Sequence, residues 1–287
     1  MVNIDQLQFQ KLDFEGLKTL LKWAEEEGWN PGPNDADAYW STDPEGFYGY
    51  FHNADLIAGG SIVSYNMEFG FMGFFIVKPA YRSFGIGRKL WFKRRDALLS
   101  RLNKGASIGM DGVLALQPFY QKGGFKIAFR DIRYEKEGMA FKIDKNISQI
   151  VEEDISSILA YDKQCFGFSR PQFIIPWLKL PDIKTFKYIE NGQIKGFSIA
   201  RKANTGYKIC PLFADSEFIA EELYKACLNS VIGKPLYIDI PIINQGALNL
   251  IEAFDAKYIF ECARMYYGKS PNMRIDKVYG LTTFELG

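Results

Sequence analysis

The residues best suited to chemistry lie in one stretch. Arg82, Gly85 and Gly87 have the spacing Arg-x-x-Gly-x-Gly, behind the apolar run Phe74-Phe75-Ile76-Val77 that Pro79 ends. Ahead of them Leu90, Trp91, Ala97 and Leu98 repeat with helical period. Two glycines let the backbone turn tightly and approach a ligand with no Cβ in the way. A helix start offers free N–H groups and the positive end of a dipole. Strand, glycine turn and helix start in that order make a cradle for a phosphate-sized anion. Two common cradles are excluded. A dinucleotide turn needs G-x-G-x-x-G/A, but Leu90 holds the third position, and the Gly-Lys-Ser/Thr of a Walker loop is absent. Arg82 and Arg88 either add charge to this cradle or are ordinary surface residues.

Other chemistries have less support. His52 is the one histidine, and Cys165, Cys210, Cys227 and Cys262 form no C-x-x-C pair. Zinc is therefore not expected, nor any other metal. Four free, buried thiols fit a reducing compartment, so a cytoplasmic location is expected. The start, Met1-Val2-Asn3-Ile4-Asp5, lacks the basic and apolar regions of a signal peptide. No run of about 18 apolar residues suggests a membrane span.

These residues need elements to position them. A strand is expected over 7–12 and a helix after Asp13 as N-cap, with Leu17, Leu20, Leu21 and Ala24 on its apolar face. A proline-glycine loop at 29–33, a short helix from Asp35, a hairpin through 53–55 and a strand at 68–77 lead to the cradle. Its helix runs to about Leu102, with Arg94-Arg95 on a solvated face. A strand at 106–110, a short helix at 118–122 and a strand at 125–134 follow. The polar break Asp144-Lys145-Asn146 suggests a boundary between domains 1–144 and 145–287. The second half reads as a helix near 155–166, a hairpin through Asn191-Gly192-Gln193, and strands at 207–213, 236–240, 260–267 and 278–286, with helices at 220–228 and 244–254. The charge is balanced, 35 basic against 34 acidic residues, and the first 144 carry 18 of each. No nucleic-acid partner is expected from that.

Val77-x-Pro79-x-x-Arg82-x-x-Gly85-x-Gly87-x-x-Leu90 resembles the acetyl-CoA pyrophosphate loop of the GCN5-related N-acetyltransferases (GNAT). Phe119-Tyr120-Gln121-Lys122-Gly123-Gly124-Phe125 is similar to the family's F-Y-x-K-x-G-F segment, and the element order of the first half is the family's. The loop at 27–32, the turn at 109–112, and the segments 211–215, 237–241, 264–266, 278–280 and 284–287 resemble a two-domain bacterial subgroup with a degenerate second copy. The resemblance implies a mixed α/β fold: two tandem GNAT-like domains, each a mostly antiparallel sheet with splayed central strands flanked by helices. It implies direct transfer of acetyl from acetyl-CoA to the amine of a small or amino-acid-like acceptor. Backbone N–H groups of Phe75, Ile76 and Val77 would hold the pantetheine and polarise the carbonyl. Those of Ser83, Phe84, Gly85, Ile86, Gly87 and Arg88 would hold the pyrophosphate, with Arg82 nearby.

Tyr120 stands where the family protonates the leaving thiolate, and a phenol suits that task. Its other reading is a core tyrosine with a wet hydroxyl. The family's Asn is Val113 here, and its Glu position falls near Phe71. Asp111 or Glu68 stands in as base, or each is a turn or strand-end residue. Trp29, Asn30 and Asp35 on one side, and Asp239, Arg264 and Tyr279 on the other, are the acceptor-site candidates. Asp35 could equally be a helix cap and Asp239 a buried hydrogen-bonding group. The second half has no Arg-x-x-Gly-x-Gly, and Asp215 at its strand-to-helix junction would repel a pyrophosphate. The rival reading is a non-catalytic acetyl-CoA sensor. Monomer and homodimer both remain open.

Overall fold

The computed structural model describes residues 6–287. In the first half β1 (Gln8–Lys11), α1 (Phe14–Glu26), α2 (Asp35–Thr42), β2 (Phe47–His52), β3 (Asp55–Tyr65) and β4 (Phe69–Val77) precede the cradle. Then come α3 (Ile86–Leu99), β5 (Ser107–Val113), α4 (Gln117–Lys122) and β6 (Phe125–Glu137). The second half begins with β7 (Ile147–Ser148), α5 (Ile155–Phe166), α6 (Pro171–Trp177), β8 (Lys184–Glu190), β9 (Gln193–Lys202) and β10 (Tyr207–Ala214). It ends with α7 (Glu217–Asn229), β11 (Pro235–Pro241), α8 (Gln245–Ala253), β12 (Lys257–Tyr267) and β13 (Val278–Gly280).

Local signals explain most of these elements. Asp13 caps α1, accepting from Gly16 N–H at 2.8 Å, and Leu17, Leu20, Leu21 and Ala24 form its buried face. Asn244 caps α8 in the same way. Two expectations need correction. Helix α6 was not anticipated, although Pro171 at its first turn is a start signal. The expected strand over 278–286 stops at Gly280, and residues 281–287 leave the sheet to cross another part of it.

The described strands form one sheet in the order β1-β2-β3-β4-β5-β12-β6-β11-β10-β9-β8-β7, with β13 on β10. The two halves interleave. β12 of the second half lies between β5 and β6 of the first, pairing antiparallel with both. β6 in turn lies between β12 and β11. Each half thus supplies the strand that completes the other's sheet.

Each half also has a parallel strand pair that opens. β4 and β5 pair from Phe69 opposite Ser107 to Met72 opposite Met110 and then part, although both continue. A bulge helps turn β4 away: between Ser61–Gly73 and Gly59–Ile76, both Phe74 and Phe75 lie opposite Gly60, and Phe74 has φ +50°. β10 and β11 pair only from Tyr207 to Ile209. There the gap is filled, because β13 pairs with β10 at Leu212 and Phe213.

One face of the sheet buries α1, α2, α5 and α6 in a shared core with Phe69, Phe71, Phe74, Phe197 and Phe213. On the other face α3 and α4 pack over the first half, and α7 and α8 over the second. No described helix is long and apolar enough to cross a membrane.

Candidate active site

The cradle has the geometry its sequence implies. Gly85, in left-handed conformation at φ +81°, precedes α3, and no side chain caps that helix. Ser83 is also left-handed, at φ +69°. These two turns leave the first N–H groups of α3 unclaimed by a side chain. Ile86 contributes backbone alone, since its side chain is buried against Leu7, Tyr50 and Leu90. Arg82 donates from Nε to Val77 O at 2.9 Å and forms an ion pair with Glu27. Arg88 is exposed, with its guanidinium over the Phe92 ring.

From the cradle a trench of about 590 Å³ follows the opened edge of β4, lined by Ile76, Val77, Arg82, Ser83, Gly87 and Arg88 and by Val113 and Phe119 opposite. Lys78 N–H donates to Ile57 O at 2.9 Å, and Ile76 lies opposite Gly59. Alternation therefore turns Ile76 N–H toward β3 and Val77 N–H toward the trench. This corrects the expectation that Ile76 N–H faces a ligand.

The trench shares Trp29, Phe75, Val113 and Leu116 with a narrow inner cavity of about 60 Å³ in the β4–β5 opening. Tyr120, 3 % exposed, closes one side. Its ring sits 6.2 Å from Phe75 and 6.0 Å from Trp91. Gly112 makes room for it, because a Cβ there would come within 2.9 Å of the ring. Burial pushes the Tyr120 hydroxyl well above the ordinary phenol range. Beneath lies Arg94, fully buried rather than on a solvated face. It donates to Gly73 O at 2.6 Å and to Ser61 O, and burial lowers its pKa to about 9.

The opposite side is built by residues 281–287, which cross β3 and β4 at the opening. Ser61 Oγ donates to Glu285 O at 3.2 Å and Tyr65 Oη to Leu286 O at 2.8 Å. Arg170, paired with buried Asp162, donates to Gly287 O at 2.7 Å. Phe284 and Glu285 enter the cavity with Phe260 and Cys262 of β12. None of these four was among the expected site residues. They arrive from the second half of the chain, and Glu285 had been read as part of a strand.

Of the remaining candidates, Asp111 and Trp29 line the cavity and the others go elsewhere. Asp111 and Arg264 form a buried two-bond pair at 2.7 and 2.9 Å. Asp111 lines the inner cavity, but its side chain has no exposed surface and both oxygens accept from Arg264, as a structural pair does. Asp239 accepts from Arg133 and Lys208, at 2.6 Å from each. Burial works against its charge, but these two cations hold its pKa at about 2. Asp35 pairs with Arg201 at 3.0 Å and accepts from Gly32 N–H. Burial raises its pKa to about 6 against the pull of Arg201. Neither Asp35, Asp239 nor Arg264 lines the cavity. Asn30 clasps Thr205 by two hydrogen bonds across the halves, whereas Trp29 does line the cavity. Tyr279 is buried against α8 rather than in it. The four cysteines are free and buried.

Asp131 lies in the same buried seam, and no N–H or O–H of the described residues reaches either carboxyl oxygen. Burial and then Asp111 push its pKa well above the usual range. Burial thus favours its protonated form, which can donate to Asp111. The same seam holds Arg133, Arg201, Lys208 and Arg264 together with Asp35, Asp111, Asp239 and Glu285. The folded protein binds one proton more than the unfolded chain between about pH 4 and the raised pKa of Asp131, so this group's stabilisation is lost as pH rises. Asp131→Asn removes that slope. Urea unfolding at pH 5 and pH 8 should show the variant gaining on wild type as pH rises, at up to ~1.4 kcal/mol per unit within the window. A pH-independent difference refutes the assignment.

The second half offers no equivalent cradle. Ser216 caps α7 by accepting from Ile219 N–H. Asp215 is bound by Tyr161 and Lys277, each at 2.7 Å.

Known proteins agree with this geometry. Residues 14–125 match the acetyltransferase (GNAT) family and residues 158–280 an acetyltransferase (GNAT) domain. A holothin acyltransferase from Pseudoalteromonas sp. (strain SANK 73390) is 27 % identical over 275 residues, covering 95 % of this chain and 92 % of that protein. A putative acetyltransferase from Pyrococcus horikoshii shares the fold with a TM-score of 0.85 and 22 % identity, covering 100 % of this chain and 98 % of that one. A tandem GNAT protein from the clavulanic acid biosynthesis pathway aligns with a TM-score of 0.64 and 11 % identity, covering 92 % of this chain and 99 % of the other. Two family matches in series, on a fold with a cradle, an opened strand pair and a second half joined to the first, make this chain a tandem GNAT acetyltransferase.

Proposed function

We propose that the protein moves an acetyl group from acetyl-CoA directly to the amine of a small molecule. Residues 1–144 would bind the donor, and residues 145–287 would complete the acceptor site without a donor of their own. The observation that carries this is the meeting of trench and narrow cavity beside buried Tyr120. The trench fits the donor: two left-handed turns and Arg88 for its diphosphate, and an apolar strand edge for its arm. Bound acetyl-CoA supplies an activated acyl thioester. Val77 N–H faces the space where that arm would lie. Tyr120 Oη, its pKa raised by burial, keeps its proton through neutral pH and would give it up to a developing anion. The aromatic walls exclude water and align an acceptor. The name of the Pseudoalteromonas relative, an acyltransferase for holothin, supports a small-molecule acceptor.

Calorimetric titration with acetyl-CoA should give one site per chain. Two sites would mean that the second half binds donor despite β13 and the capped α7. Absence of binding would reject the reading.

A further inference from the structure

We infer that Glu285 accepts the proton of the acceptor's ammonium group, and that the acceptor is a small, flat, aromatic primary amine. This rests on the acyl-transfer reading and adds to it the missing base and the substrate class.

Glu285 is 6 % exposed and lines the inner cavity. Its partner in hydrogen-bonding range is Tyr39 Oη, at 3.4 Å. The charged and titratable groups around it are Tyr39 and Asp35 from α2, Asp111 from β5, Arg133 from β6 and Arg201 from β9. The two arginines already bind carboxylates, Asp239 and Asp35. Asp111 is held by Arg264. Among the described residues Glu285 is therefore the carboxylate of this seam that has no cation in hydrogen-bonding contact and reaches the cavity. Asp111 also lines the cavity but is already neutralised by Arg264, which leaves Glu285 as the buried carboxylate there open to a ligand's ammonium.

Position supports the chemistry. Tyr120 comes from the face covered by α3 and α4, and Glu285 from the face covered by α1 and α2, so proton donor and proton acceptor flank one cavity. One N–H proton passes from the bound ammonium to a Glu285 carboxylate oxygen. The amine nitrogen regains its lone pair, and Glu285 becomes a neutral acid. The backbone behind Glu285 is fixed by Ser61 and Tyr65, which holds the carboxylate in place. Shape sets the rest of the substrate. The cavity of about 60 Å³ takes only the amine-bearing end, and where it opens on the trench Trp29 and Phe75 suit a flat ring better than a branched or strongly polar body.

Benzylamine and benzyl alcohol are suitable probes, because they differ at the group Glu285 would hold. At pH 7.5 the wild type should bind benzylamine at least tenfold more tightly than benzyl alcohol. Glu285→Gln should lose that preference while binding acetyl-CoA as wild type does, which also reports that it folds. In transfer from acetyl-CoA to benzylamine, wild-type kcat/KM should be level between pH 7 and the pKa of benzylamine. The Glu285→Gln value should be at least 100-fold lower at pH 7 and climb tenfold per pH unit, following the free amine. Glu285→Asp should restore part of the level region. Three results would overturn the inference alone: a Gln variant with the wild-type preference, a Gln variant with the wild-type pH profile, or a wild type that binds acetyl-CoA without favouring or acylating benzylamine. A wild type that does not bind acetyl-CoA removes the acyl-transfer reading and this inference with it.

Discussion

Gly85→Asp should abolish acetyl-CoA binding and leave the fold standing. Gly85 is exposed and turns the chain into α3 at φ +81°. Aspartate tolerates that conformation better than most residues, so the strain costs about 1 kcal/mol. The larger effect is electrostatic. The substitution sets a carboxylate among the N–H groups that would hold the diphosphate, where it both repels the ligand and occupies its donors. Affinity should fall at least ~100-fold, which is ~2.8 kcal/mol at ~1.4 kcal/mol per decade. Calorimetry measures this directly, with melting as the control. Unchanged affinity would move the donor site away from this turn.

Gly73→Ala should do the reverse, sparing the donor site and disabling the acceptor site. A Cβ on Gly73 would lie 2.0 Å from the carbonyl oxygen of Glu285, and that obstacle is backbone. The segment 281–287 must therefore lift from β4. It would give up the bonds from Ser61, Tyr65 and Arg170 and take Phe284 and Glu285 out of the cavity. Displacing a packed, hydrogen-bonded segment costs ~3–5 kcal/mol, or roughly 5–8 °C in melting temperature for a chain of this size. Acyl transfer should fall at least 100-fold, while acetyl-CoA binds within threefold of wild type. Gly73 lies outside the trench lining. A variant as stable and active as wild type would show that the segment does not need this contact.

The pair of variants marks where sequence reading succeeds. Gly85 was legible because its role is local: an apolar run, two glycines and a helix pattern lie within one stretch, and each has its own conformational signature. The same holds for Asp13 and Asn244 as caps. Glu285 was not legible. Its role arises from a contact with Gly73, far away in the chain, and no periodicity encodes such a meeting. Asp35, Asp239 and Arg264 were singled out as charged residues near a presumed interface. The interface is real, but each of them is buried and paired there, Asp35 with Arg201, Asp239 with Arg133 and Lys208, and Arg264 with Asp111. Arg94 misled for a related reason: its helix looks solvated in sequence, yet Gly60 leaves a hollow where the guanidinium rests, and a Cβ there would come within 2.3 Å of it.

The interleaving of β12 and β6 bears on how the protein is made. On a ribosome β5 emerges long before its neighbour β12, whose first residue is Lys257. At roughly 5–20 residues per second, the ~150 residues between them take on the order of 10–30 s. Throughout that interval β5 has one edge unpaired, beside the opening that will become the active site. The nascent first half therefore waits as an incomplete sheet, exposed to pairing with other chains. It closes only when its own second half arrives. The inner cavity, walled by residues of β12 and of 281–287, is then among the last features to form, so an interrupted chain would be released without it.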